Sequence, residues 1–170
     1  MKKIVYLDHA SATPLDKRVL ASMQPFFSEK FYNPSAIYSA GKGVKQDILE
    51  AKQLIAKHLG VQYGELVMTS GGTEANNLAI SGVMDSYPDK KVLISAIEHE
   101  SIIRPAEKYK HDYISVNNLG FIDQEDFKKI DDDIVLISVM LANNEIGTVQ
   151  PIRELSLKIK EVLSDRRARG

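Results

Sequence analysis

Three short clusters hold the side chains most able to do chemistry. Ser70-Gly71-Gly72-Thr73 stands ahead of a helical pattern. Two glycines there let backbone approach a ligand closely, and the first amides of a helix are unpaired donors at the positive end of its dipole. A phosphate held by the Gly72 and Thr73 amides, with the Thr73 hydroxyl adding a bond, is the chemistry this spacing allows. An ordinary glycine turn with a threonine cap accounts for the same residues taken alone. GGTE lacks the Lys-Ser/Thr of a nucleotide phosphate loop, and the dinucleotide pattern G-x-G-x-x-G is missing. Glu98-His99-Glu100-Ser101 places an imidazole where it can stack on a planar ligand, act as an acid or base, or simply be solvated. Asn143-Asn144-Glu145-Ile146-Gly147 is a turn-rich loop whose asparagines serve either conformation or recognition. His9, beside Asp8, is a weaker candidate, and His58 and His111 carry no assignment.

Composition narrows the chemistry further. The 170 residues contain no cysteine, which excludes a disulfide framework, a thiolate zinc site and a cysteine nucleophile among them. One histidine between two acidic residues does not have metal-ligand spacing, so no metal is expected. The formal charge of −1 gives no footprint for nucleic acid or an anionic membrane. No apolar run approaches the ~20 residues of a membrane helix. The opening MKKIVYLDHASATP is too short in apolar residues for a signal peptide.

The elements that must position these clusters alternate. Residues 1–43 read as irregular and turn-rich, with Asn33-Pro34 and the Gly41/Gly43 pair. Val44, Ile48, Ala51, Ile55 and Leu59 recur at helical spacing, with Gly60 as the cap. The pattern then predicts a buried strand over Glu65–Ser70, a helix over Thr73–Met84 and a strand over Lys91–Ala96. Next come a helix near Ser101–Tyr109, a strand over Asp112–Val116 and a helix capped by Asp123 through Ile130. Ile134–Leu141 is almost wholly apolar, as a strand covered on both faces is. Pro151 opens a last helix carrying Ile152, Leu155, Ile159 and Val162. Such alternation predicts an α/β fold with a mostly parallel sheet and helices on both faces. The three clusters then fall at the C-terminal ends of three strands, the edge where open α/β sheets bind ligands.

Taken in order, the motifs are Tyr6–Pro14 (YLDHASATP), Tyr32-Asn33-Pro34-Ser35, Thr69–Ile80 (TSGGTEANNLAI), Glu98-His99 and Asn143–Gly147 (NNEIG). This series resembles the cysteine desulfurases, the NifS/IscS-like branch of the class V pyridoxal-phosphate enzymes, from residue 4 to the last helix. The resemblance implies an enzyme that uses pyridoxal 5′-phosphate to take sulfur from L-cysteine. The products are L-alanine and a persulfide for iron–sulfur cluster or thio-cofactor synthesis. By motif, Gly72 and Thr73 bind the cofactor phosphate, and His99 stacks over the pyridine ring and joins in proton transfers. Asn144 approaches the ring oxygen and the substrate carboxylate, and Asn33 with His9–Thr13 lines the substrate entrance. The fold implied is the N-terminal half of the type I aminotransferase-like large domain (15–170), with 1–14 a segment of the family's small domain. A cytoplasmic homodimer that hands sulfur to an acceptor protein is expected.

The family pattern continues beyond the helix at 151–164. It runs into an aspartate that pairs with the pyridine nitrogen, a Ser/Thr-x-His-Lys segment whose lysine forms the Schiff base, and a sulfur-receiving cysteine. None of these segments occurs here, so the 170 residues alone are expected not to desulfurate cysteine. Ser11-Ala12 stands where the family more often has a threonine pair, and Tyr38 where a histidine is frequent. A non-catalytic, phosphate-binding or self-associating remnant, and another class V enzyme such as a selenocysteine lyase or aminotransferase, are the alternatives.

Overall fold

The computed structural model describes residues 4–169; Gly170 and Met1–Lys3, the start of the opening read above as no signal peptide, lie outside the described residues. The chain divides into two compact units, Met1–Met68 and Thr69–Gly170.

In the first unit, the region read as irregular contains two short helices. Asp16 caps α1 (Lys17–Met23) by accepting from the Arg18 N–H at 2.8 Å, and Pro25 opens α2 (Pro25–Ser28). The α3 helix (Ser39–Leu59) begins five residues earlier than its apolar periodicity. Gly60 ends it at φ +70°, a left-handed conformation that favours glycine. The Val61 N–H reaches back to the Ala56 carbonyl at 3.0 Å.

The strand expected over Glu65–Ser70 does not form. Tyr63–Glu65 makes a single 3₁₀ turn, and the residues after it run extended with Val67 70% and Met68 62% exposed. Apolar content alone does not make a strand. Its backbone groups need a neighbour, and among the described residues no strand pairs with this segment.

The second unit holds the sheet. Its strands are β1 (Lys91–Ser95), β2 (His111–Ile114) and β3 (Ile134–Ser138), all parallel, in the order β2-β1-β3. Central β1 sends its side chains to opposite faces, as a strand must. Leu93 packs with Ile114, Ile122, Phe127, Ile130 and Leu155, under α6 (Ile152–Arg169) and the 3₁₀ helix Gln124–Lys129. Val92 and Ile94 pack with Ile80, Met84 and Ala106, under α4 (Gly72–Ser86) and α5 (Glu100–Ala106). Burying each large aliphatic of these clusters contributes about 1.5–3 kcal/mol. The parallel sheet with helices on both faces is as the sequence predicts. Two details differ. The element after Asp123 is 3₁₀ rather than α-helical, and β3 is shorter than Ile134–Leu141 and half-buried, because it is an edge strand. No helix among the described residues is long and apolar enough to cross a membrane.

Candidate functional site

The loops that leave β1 and β3 meet in a pocket of about 360 Å³ lined by Ala96–Glu100 and Asn143–Ile146. That volume lies within the ~300–1,000 Å³ of small-molecule sites. His99 and Asn144 are thus brought together at the C-terminal ends of neighbouring parallel strands. The cluster Ser70–Thr73 is not at a strand end, since its strand is absent; it sits at the N-terminus of α4.

The first helical bond of α4 runs from the Ala75 N–H to the Gly71 carbonyl at 3.1 Å, and Gly71 provides no side-chain cap. The N–H groups of Gly72, Thr73 and Glu74 therefore have no acceptor within the helix. A Cβ at Gly71 or Gly72 would meet nothing within 4 Å, so the approach to these amides is open. The Thr73 hydroxyl is exposed and unbonded among the described residues. Glu74 folds back: one carboxylate oxygen accepts from both the Ser70 N–H and the Ser70 hydroxyl at 2.6 Å. Those two bonds hold its pKa below the usual carboxylate value and fix the turn ahead of the glycines. The result is a set of amide and hydroxyl donors at a positive helix end, which fits a phosphate group.

Glu98 is 9% exposed, wedged between the ends of β1 and β3. Ser95 Oγ donates to it at 3.1 Å, and the Ser138 hydroxyl and Met140 N–H of the β3 side lie close enough to favour its charged form. Burial pushes its pKa up against the opposing pull of these bonds. Glu98 is thus bonded to the end of β1 through Ser95. Asn143 joins the two loops directly. Its Nδ2 donates to the Ile97 carbonyl at 3.0 Å, while Oδ1 accepts from the Glu145 and Ile146 N–H groups at 2.8 and 3.0 Å. Gly147, at φ +75°, closes the loop with an N–H bond of 2.9 Å to the Asn143 carbonyl. Asn144, by contrast, is exposed and makes no side-chain bond among the described residues. Of the asparagine pair, one is committed to the scaffold and the other is free for a ligand.

His99 caps α5: its Nδ1 accepts from the Ser101 N–H at 3.0 Å. Asn76, one turn after Thr73 on α4, donates to Ser101 Oγ at 2.8 Å. The helix that begins at Gly72 is thereby tied to the residue that follows His99. The roles of Asn76, Ser101 and Glu98 were not evident from the motifs. The one available signal was polar residues inside a helix, Asn76-Asn77, where asparagine is unfavourable without a partner.

Asn33 and His9 belong to the first unit and are described there by themselves. Asn33 Oδ1 accepts from the Ser35 N–H at 2.9 Å in a local turn. The His9 ring meets Tyr6 edge-on at 4.9 Å, and the Tyr6 hydroxyl bonds the carbonyls of Asp8 and Ala12.

Residues 5–164 match the family model described as aminotransferase class-V. The chain is 46% identical over 169 residues to the cysteine desulfurase IscS of Dictyoglomus turgidum, covering 95% of this chain and 43% of that protein. It is 41% identical to the putative cysteine desulfurase IscS 1 of Bacillus subtilis, covering 92% of this chain and 44% of that one. Among solved structures, a NifS-like protein superposes with a TM-score of 0.88 at 32% identity, covering 92% of this chain and 45% of its own. A NifS-like protein from Rickettsia africae gives 0.80 at 32%, covering 94% and 46%. The chain spans less than half the length of these relatives. With the match running over nearly its whole length, the chain belongs to the aminotransferase class-V family.

Proposed function

We propose that this chain is the phosphate-binding and ring-facing portion of a pyridoxal-phosphate-dependent cysteine desulfurase. The observation that supports the reading is that α4, whose N-terminus is uncapped, is bonded through Asn76 to Ser101, two residues beyond the His99 that lines a pocket with Asn144. The relatives named cysteine desulfurase support the substrate, L-cysteine.

Bound there, the cofactor supplies an electron sink for breaking the carbon–sulfur bond of the amino acid. The chain's own part is binding and orientation. The N–H groups of Gly72 and Thr73 and the Thr73 hydroxyl hold the phosphate, with the α4 dipole favouring its charge. His99, which lines one pocket with Asn144, would stack on the ring. The free amide of Asn144 donates to the ring oxygen and the substrate carboxylate. Asn33 and His9–Thr13 keep their proposed place at the substrate entrance, and residues 1–14 their proposed membership of a small domain. No cysteine occurs among the 170 residues, so the thiol that receives sulfur comes from outside them. A cytoplasmic homodimer serving a sulfur-acceptor protein completes the proposal.

The test is a joint assay. The chain is combined with the residues that follow the matched region in the Dictyoglomus turgidum relative, supplied as a second polypeptide, and assembly is verified by size. Alanine release from L-cysteine is expected only with both polypeptides, and to be lost with His99→Ala. An assembled, cofactor-loaded complex that releases no alanine would overturn the desulfurase reading.

A further inference from the structure

The hydrogen bonds around His99 decide which ring nitrogen carries its proton. The Ser101 N–H points at Nδ1 from 3.0 Å. An amide N–H can only donate, so Nδ1 holds its lone pair toward Ser101 and the proton of the neutral ring sits on Nε2. Ser101 Oγ lies 2.8 Å from the same nitrogen. With no proton on Nδ1 to accept, the Ser101 hydroxyl is the donor of that contact, and Asn76 Nδ2 donates to the same oxygen at 2.8 Å. Two donors, one backed by a third, therefore face the lone-pair nitrogen.

We propose that Asn76 and Ser101 are positioning residues that lock His99 as its Nε2–H tautomer, so that the neutral ring presents Nε2 as a hydrogen-bond donor. Nδ1, the nitrogen able to take a proton in this tautomer, is filled by the two Ser101 donors. The lock also fixes the ring plane relative to α4, because Asn76 stands on that helix one turn beyond Thr73. Its purpose rests on the cofactor reading above, but its existence does not.

The experiment is long-range ¹H–¹⁵N spectroscopy of the imidazole nitrogens in the ligand-free chain, at a pH about two units above the ordinary histidine pKa of ~6.5, where imidazole is neutral. The protein has four histidines, and the His99 signals are those that vanish in His99→Gln. The expected pattern is a lone-pair shift at Nδ1 and a protonated shift at Nε2. Ser101→Ala removes one donor and should lower the Nε2–H to Nδ1–H ratio about fivefold, the effect of one net hydrogen bond. Ser101→Thr keeps the hydroxyl and should restore the ratio. Asn76→Asp replaces a donor with an acceptor that draws the hydroxyl proton away, and should lower the ratio in the same direction. Comparable tautomer populations in the wild-type chain would overturn the proposal. So would an unchanged ratio in Asn76→Asp with a folded amide spectrum, which decides the matter should Ser101→Ala fail to fold. Failure of pyridoxal phosphate to bind would count against the cofactor reading and leave the tautomer result standing.

Discussion

Replacing Asn143 should loosen the Asn144 loop without touching any residue proposed to meet the ligand. Its side chain makes three ordinary hydrogen bonds, one to the Ile97 carbonyl and two from the Glu145 and Ile146 N–H groups, while a fourth, to the weakly accepting Met140 Sδ at 3.3 Å, adds little. At about 1 kcal/mol net each, the upper limit for Asn143→Ala is about 3 kcal/mol. Glu145 and Ile146 are exposed, and water takes over part of their bonding, so about 2 kcal/mol is the expected loss. For a chain of this length that corresponds to roughly 4–8 °C in melting temperature. The informative control is Asn143→Asp, which keeps an acceptor for the two amides but loses the donor to Ile97. Amide hydrogen exchange separates the two effects. Asn143→Ala should speed exchange at Glu145 and Ile146 about fivefold or more, whereas Asn143→Asp should leave both protected and still lower stability. Wild-type stability and wild-type exchange in Asn143→Ala would refute the claim that this side chain holds the loop.

Other outcomes follow from single features. Thr73→Ala should weaken pyridoxal-phosphate binding by about 1 kcal/mol, roughly fivefold in Kd by titration, with folding unchanged. Asp126 is buried at the end of β2, where the Ser115 hydroxyl and N–H, then Lys129, lower its pKa to about 2. A depressed carboxylate pKa adds stability that is full above the unfolded value and lost as pH falls through the folded one. Urea unfolding should therefore show about 2 kcal/mol disappearing between about pH 5 and pH 2, and Asp126→Asn should flatten that profile. Gly120→Ala should cost about 1–3 kcal/mol in the same assay. Its φ is +78°, and a Cβ there would press on Ile146 Cδ1 and lie 2.9 Å from Thr148 Oγ1.

Much of the second unit was legible because its signals are local. The apolar runs of β1 and β3, the Asp123 cap and the Pro151 helix start all lie where sequence periodicity and capping put them. Glu65–Ser70 carried the same local signal and misled, because strand formation depends on a neighbour that periodicity does not reveal. α1 went unread since its seven residues are too short for a stable period, although Asp16 capping Arg18 was a usable cue. At the site, the motif residues His99, Asn143 and Asn144 could be named from order and spacing. The division of labour within the asparagine pair could not, because it depends on the Ile97 carbonyl 46 positions away. The Asn76–Ser101 bond spans 25 positions and was equally invisible.

The central claim is that α4's N-terminus and the His99–Asn144 pocket form one pyridoxal-phosphate site. The most direct measurement is to titrate the ¹⁵N-labelled chain with pyridoxal phosphate and, separately, with inorganic phosphate. The account expects both ligands to shift the Gly72 and Thr73 amides, and pyridoxal phosphate alone to move the His99 ring and the Asn144 side-chain amide as well. Shifts from pyridoxal phosphate confined to residues outside these two loops and the α4 N-terminus would contradict it.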